Sequence, residues 1–239
     1  MNEQPIKIAI LDSVPKFHWR DDNGVTDGQK FVDLLAPENA NAKFDIFYVS
    51  EYEFPDIIES YDGYLLTGSP VSVHDNYDWI KMLSEFVGQA DNKNKPIVGV
   101  CFGHQLIAEY FGGVVGNNEK GWMIGSFPLE IKKKFPWMKN KLDTTDLYHF
   151  NKERVTKLPE GAISFASTKD YPDFAYTIGN NIACLQGHPE QPKRAMYNFL
   201  EVTKKVLTEK EFEKAKLRIE NGKSDSSIWA QWIMEFFCS

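Results

Sequence analysis

Apolar positions in the first half of the chain fall into short unbroken runs set between polar segments. Residues 6–11, 44–49, 64–66 and 96–100 are such runs, too short for helices and bounded by turn-forming residues, and they predict buried strands. Between them apolar residues return at helical spacing, over about 27–35 and again over about 78–89. In the second of these Trp79, Ile80, Leu83, Phe86 and Val87 share one face. A third helix is predicted over 102–111, with Phe102, Leu106, Ile107, Tyr110 and Phe111 on its apolar side and Gly112-Gly113 closing it. Strands alternating with helices in this way predict an α/β fold, a mostly parallel sheet with helices on both faces.

From residue 114 the pattern changes to short extended pieces at 114–115, 123–131, 162–166, 174–178 and 182–186. They predict a small antiparallel extension that lengthens the sheet and closes one side of its active edge. A helix over 194–207 then packs back. Thr208, with Glu211 three residues on, opens a further helix through a capping box, and that helix stops near Asn221-Gly222. The last helix carries Ile228, Trp229, Trp232, Ile233, Phe236 and Phe237, an apolar face broad enough to dock on the domain. These readings divide the chain into a catalytic domain over 1–207 and a C-terminal helical extension over 208–239 packed on it.

The junction of the fourth strand and third helix reads Gly99-Val100-Cys101-Phe102-Gly103, the cysteine form of a G-x-S-x-G nucleophile elbow. A nucleophile on a tight strand-to-helix turn needs small neighbours, so that strand, helix and substrate can approach closely. At a helix N-terminus the unpaired N–H groups and the macrodipole stabilise negative charge on the sulfur. The Phe102 N–H would point at an oxyanion forming beside it. The same five residues also suit a buried core cysteine before a glycine-tolerant turn, so the assignment needs a partner elsewhere in the chain.

Composition narrows the field. In 239 residues, 34 Asp plus Glu outnumber 27 Lys plus Arg, which argues against a nucleic-acid or anionic-membrane surface. Lys132–Lys134 is the one basic run, and it suits a solvated strand end. No apolar run approaches the ~20 residues of a membrane span, and the N-terminus lacks the pattern of a signal peptide. Cys101, Cys184 and Cys238 are odd in number and widely spaced, which suits free thiols in a reducing cytoplasm. No His/Cys/Asp cluster has metal-ligand spacing, so neither metal nor cofactor is expected.

The partner is the segment Gln186-Gly187-His188-Pro189-Glu190, which follows the run at 182–186. Parallel strands put their C-terminal ends on one edge, so this loop can face the elbow. His188 would then take the thiol proton and return it to a leaving amine, with Glu190 holding the imidazole tautomer.

With these residues in place the sequence resembles the class I glutamine amidotransferase superfamily. The elbow GVCFGHQ, the segment QGHPE and the intervening YHFNKERVTKLPEG match its pattern in order and spacing over roughly residues 6–200. The resemblance implies a flavodoxin-like sheet and attack on a γ-glutamyl amide through a thioester, with ammonia released from glutamine. It puts Cys101, His188 and Glu190 in the triad, and Gln105 where bound glutamine is contacted. It also puts Gly68 and Ser69 in the loop that supplies the second oxyanion N–H. His149 falls either in the acyl pocket or at the end of a strand, and His104 takes a hydrogen-bonded structural role.

The chain departs from the family after His149, where it is about two residues longer than the GMP synthetase glutaminase domain, and in the loop before Pro70. Many members carry two glycines before the proline, where this one has Thr67-Gly68-Ser69-Pro70. The stretch GSPVSVHDNYDWI is closer to stand-alone members similar to γ-glutamyl peptidases, so cleavage of γ-glutamyl peptides is the alternative activity. An idle regulatory or binding subunit is the non-enzyme alternative. A glutamine-using enzyme of this kind would need a separate ammonia-accepting synthetase subunit. The loop Asp12–Gly24, with Phe17, His18 and Trp19, is a candidate for shaping a leaving-group pocket or seating a partner. Gly222-Lys223-Ser224 is not a phosphate loop, because Leu217 stands where its first glycine belongs.

Overall fold

The computed structural model describes residues 5–16 and 24–239; Phe17, His18 and Trp19 lie outside the described residues. Strands β1 (Lys7–Asp12), β2 (Lys43–Tyr48), β3 (Gly63–Leu66), β4 (Ile97–Val100) and β11 (Ile182–Leu185) pair in parallel in the order β2-β1-β3-β4-β11. The sheet continues antiparallel through β10 (Ala175–Ile178), β9 (Ile163–Ser167), β6 (Met123–Ile131) and β7 (Thr144–Asn151), making nine strands. Strands β5 (Val114–Asn117) and β8 (Glu153–Lys157) form a separate antiparallel pair. The expected α/β architecture is therefore present, with an antiparallel part larger than the sequence pattern indicates.

Hydrophobicity does not reveal β7, for a physical reason. Alternate residues of this strand point inward, and Thr145, His149 and Asn151 are buried there along with Leu147, so the inward face is mostly polar.

Alternation along the parallel strands sends side chains to two cores. Ile8, Ile10, Leu65, Val98, Val100, Ala183 and Leu185 face one cluster; Ala9, Leu11, Tyr64, Leu66, Ile97, Ile182 and Cys184 face the other. Helices α1 (Asp27–Leu35) and α6 (Ser226–Phe237) cover the first face. Helices α2 (Asp78–Asn92) and α3 (Phe102–Tyr110) cover the second. Trp229, Trp232, Phe236 and Phe237 of α6 are nearly fully buried, and burial of each such side chain contributes on the order of 1.5–3 kcal/mol. The Trp229 indole also donates to Thr145 Oγ1 at 3.2 Å, which ties α6 to β7.

Helix α4 (Lys193–Thr203) ends earlier than its apolar pattern suggests and continues as a short 3₁₀ turn over 204–206. Helix α5 (Glu209–Asn221) opens with the capping box of Thr208 and Glu211, both bonds present at 3.3 and 2.8 Å. Gly222 closes it with φ −85°, outside the left-handed region. Glycine is required there for space: an added Cβ would lie 2.2 Å from Ser126 Cβ and 2.3 Å from the Arg218 carbonyl oxygen.

For function the decisive feature is that β3, β4 and β11 are neighbours. Their C-terminal ends meet in register, Leu66 beside Gly99 and Leu185 beside Val100. The segments that follow, Thr67-Gly68-Ser69, Cys101 and Gln186-Gly187-His188, leave the same sheet edge together.

Candidate active site

Cys101 sits between β4 and α3 with φ 51° and ψ −101°, a conformation L-residues rarely adopt. Its N–H donates to the Leu185 carbonyl at 2.9 Å and its carbonyl accepts the Gln105 N–H at 3.0 Å, so strand and helix together hold the turn. The two flanking glycines have steric reasons. A Cβ at Gly99 would lie 2.8 Å from the Gly103 carbonyl oxygen, and one at Gly103 would lie 2.6 Å from Leu66 Cβ. The elbow is thus compressed between its own helix and β3. Phe102 N–H, the first of α3, has no intrahelical acceptor.

His188 is reached from the neighbouring strand. Its N–H donates to the Tyr148 carbonyl at 2.8 Å, and its ring Nδ1 lies 2.7 Å from Glu190 Oε1. Both side chains are buried, with exposures of 7% for His188 and 0% for Glu190. Burial is the largest single influence on His188 and opposes its imidazolium. The neighbouring Glu190 carboxylate and Cys101 sulfur, with the hydrogen bond to Glu190, nonetheless raise His188 well above its ordinary range. Nε2 has no hydrogen-bond partner among the described residues. His104 and His149 differ: burial lowers each to about 3, so both remain neutral.

Gly68 lies against both reactive groups. A Cβ there would stand 3.1 Å from His188 Cε1 and 3.5 Å from Cys101 Cβ, so no side chain fits without displacing the histidine. The loop that carries it is pinned to the end of β1. Ser13 N–H donates to Thr67 Oγ1 at 2.9 Å, and Ser69 Oγ donates to the Ser13 carbonyl at 2.7 Å. The Thr67 carbonyl in turn accepts the Gly103 N–H at 3.2 Å, joining the loop to the elbow helix. Ser69, which stands where a second glycine is common, anchors the loop through its hydroxyl.

Gln105 is 5% exposed, and its amide nitrogen donates to the Glu153 carbonyl at 2.9 Å and to Gln186 Oε1 at 3.0 Å. Both of its amide protons are therefore occupied. Tyr171 OH donates to the same Gln186 oxygen at 3.0 Å and accepts the Val155 N–H at 3.0 Å. Asn151 Nδ2 donates to the Glu153 carbonyl at 3.0 Å. Sequence reasoning missed Gln186, Tyr171 and Asn151. A fully buried glutamine directly before Gly187-His188 is the one signal that could have pointed to them.

His149 is the third residue from the end of β7 and fully buried, its ring packed 4.9 Å from Phe127 and 4.6 Å from Phe174 between centroids. Neither of its ring nitrogens has a partner among the described residues. The hydrogen-bonded role expected of His104 is not what the structure shows. Its ring nitrogens likewise have no partner among the described residues, because the ring lies against Tyr176 at 4.9 Å and the Tyr176 hydroxyl donates instead to the His104 carbonyl at 2.7 Å. Cys184 is fully buried, and burial pushes its thiol up to about 12, which makes it inert beside Cys101. Among the described residues no group of His, Cys, Asp or Glu could hold a metal ion, and no helix is long and apolar enough to cross a membrane.

The family model for glutamine amidotransferase class-I matches residues 30–203. Gamma-glutamyl peptidase 3 of Arabidopsis thaliana is 30% identical over 216 residues, covering 86% of each chain. A glutamine-hydrolysing GMP synthase of Wolbachia pipientis is 27% identical over 85% of this chain and 42% of its own length. Among solved structures, a glutamine amidotransferase from Thermotoga maritima superposes with a TM-score of 0.77 at 18% identity, over 99% of this chain and 97% of that one.

Proposed function

This chain belongs to the glutamine amidotransferase class-I family, and from that premise we propose that it hydrolyses γ-glutamyl amide bonds with Cys101 as nucleophile, His188 as acid–base and Glu190 as its orienting carboxylate. The observation that carries the reading is the strained elbow of Cys101 beside a buried His188 whose Nδ1 lies 2.7 Å from Glu190.

The Cys101 thiolate attacks the γ-carbonyl, and the oxyanion is held by the N–H groups of Phe102 and of the Gly68–Ser69 loop. His188, which holds its proton readily in this setting, passes it to the departing amine as the C–N bond breaks and the γ-glutamyl thioester forms. Water then enters, His188 takes its proton, and glutamate leaves as the thiol is restored. Gln105 Oε1, at the edge of the Gln186–Tyr171–Asn151 network, would receive the α-ammonium of the γ-glutamyl group.

Two leaving groups fit this chemistry. The identity with a γ-glutamyl peptidase, spread over 86% of both chains, favours an amino acid or peptide. Ammonia from glutamine is the other, and would call for an acceptor subunit to receive it. Amine release by the purified chain tests both, with γ-glutamyl dipeptides or glutathione in one assay and glutamine in the other. Peptide cleavage that exceeds glutamine hydrolysis and vanishes in Cys101→Ala is the expected result. Failure to cleave any of these substrates by a folded chain would sink the hydrolase reading and favour an idle binding subunit.

A further inference from the structure

We propose that Gln191 is a positioning residue of the triad, acting through Glu190, and that the Asp27–Lys30 pair at the start of α1 holds it in place. The proposal rests on the triad reading above and adds a link between the catalytic carboxylate and a helix on the opposite side of the loop.

Gln191 is 2% exposed. Its amide nitrogen donates at 3.1 Å to Glu190 Oε1, the same oxygen that lies 2.7 Å from His188 Nδ1. The same nitrogen donates at 3.1 Å to Asp27 Oδ1, and its carbonyl oxygen accepts from Lys30 Nζ at 3.2 Å. Lys30 and Asp27 are themselves paired at 2.8 Å, with side-chain exposures of only 10% and 18%. Both amide protons are used, one on each carboxylate, and the oxygen accepts from the ammonium.

The asymmetry at Glu190 shows what the bond does. Oε1 has two neighbours, whereas Oε2 is buried with none among the described residues. A carboxylate held at one oxygen by the imidazole alone can turn about its last torsion, which for Glu is broad and soft. Gln191 supplies the second point that stops that turn and keeps Oε1 on His188. Its orientation is fixed in turn by groups of opposite charge, since Asp27 accepts from the nitrogen and Lys30 donates to the oxygen. Flipping the amide would set its oxygen against two carboxylates.

The charged and titratable groups facing this arrangement are Cys101, Glu190 and neutral His149 around His188, with Asp27, Lys30 and Asp12 around the start of α1. Without Gln191 the carboxylate turns away, and the imidazolium beside Cys101 loses its support.

The test reads Cys101 directly, so it does not depend on knowing the substrate. The rate of Cys101 alkylation by iodoacetamide is followed by mass spectrometry against pH in the intact chain, in Gln191→Met, in Lys30→Met and in His188→Ala. Gln191→Met should move the pH at which Cys101 becomes reactive upward by roughly one unit, slowing alkylation about tenfold on the rising limb. Lys30→Met should move it in the same direction by less, and the double variant no further than Gln191→Met alone, because both act on one contact. Lys30→Arg should restore the native profile. A native profile identical to that of His188→Ala would overturn the triad and this proposal with it. A native profile that does depend on His188, with Gln191→Met unshifted or shifted downward, would overturn the positioning role alone. Thermal melting of each variant separates loss of fold from loss of position, and Lys30→Met, at the less buried end of the contact, remains informative if Gln191→Met does not fold.

Discussion

Replacing Gly103 with alanine puts a methyl group 2.6 Å from Leu66 Cβ and 2.8 Å from the Leu66 carbonyl oxygen. Both atoms belong to β3, which is paired on both sides and cannot yield. Ordinary carbon contacts lie near 3.5–4.0 Å, so α3 must retreat by about 1 Å. Overpacking of this kind costs up to about 3 kcal/mol. Alanine returns about 1 kcal/mol through its better helix propensity. The net loss is up to about 2 kcal/mol, which lowers the melting point by at most about 4–8 °C in a chain of this size. The effect on chemistry is larger than the effect on stability, because α3 carries Cys101 at its N-terminus. A displacement of about 1 Å can cost on the order of 100-fold in rate. Gly112 supplies the control. Its φ is +83° and an added Cβ meets nothing within 4 Å, so Gly112→Ala costs only the left-handed strain, about 1–2 kcal/mol, and leaves the elbow in place. Thermal melts paired with hydrolysis or Cys101 alkylation rates read both variants. If Gly103→Ala kept most of its activity, or if Gly112→Ala lost as much activity as Gly103→Ala, the steric account of the elbow would be wrong.

Other substitutions separate the remaining roles. Cys101→Ala should abolish hydrolysis with an unchanged melting point, whereas Cys184→Ser should lower stability by about 1–3 kcal/mol through a buried hydroxyl and spare turnover per folded molecule. Gly68→Ala should cut turnover while barely moving the melting point, since the new methyl meets His188 at 3.1 Å and not the backbone; calorimetry beside steady-state assays decides it. Asp12 is raised to about 6 by burial and then by the charge of Asp27, although the N–H groups of Gly28 and Val14 bond its carboxylate. The folded chain therefore keeps a proton that the unfolded chain has released between about pH 4 and 6. Stability should fall as pH rises through that window, by up to about 3 kcal/mol from this group. Urea unfolding at both ends of the window should show that slope diminished in Asp12→Asn; an undiminished slope would refute the assignment.

The parallel half of the fold and the elbow are legible in the order of residues alone. Continuous apolar runs mean strands buried on both faces, and the glycines on either side of Cys101 mark a turn where backbone must pass close to backbone. The antiparallel half is less legible, because β7 buries Thr145, His149 and Asn151 beside its apolar residues and so carries no hydrophobic alternation. His104 shows the same limit on a smaller scale. A histidine in an amphipathic helix suggests hydrogen bonds, but a ring packed on Tyr176 within an apolar layer has none available among the described residues.

By itself the sequence determined the parallel strands, most of the helices and the elbow that carries Cys101, because each depends on a local rule: side-chain period, capping, or glycine clearance. What meets what across the chain was decided only by the tertiary structure. Strand order brings β3, β4 and β11 together, so that Gly68 touches both Cys101 and His188 although long stretches of chain separate the three. The same packing sets Gln191 on Asp27 and Lys30 of α1, a contact that no local pattern encodes. Such contacts form because buried polar atoms must find partners wherever the sheet places them, and that placement belongs to the whole fold rather than to any stretch of it.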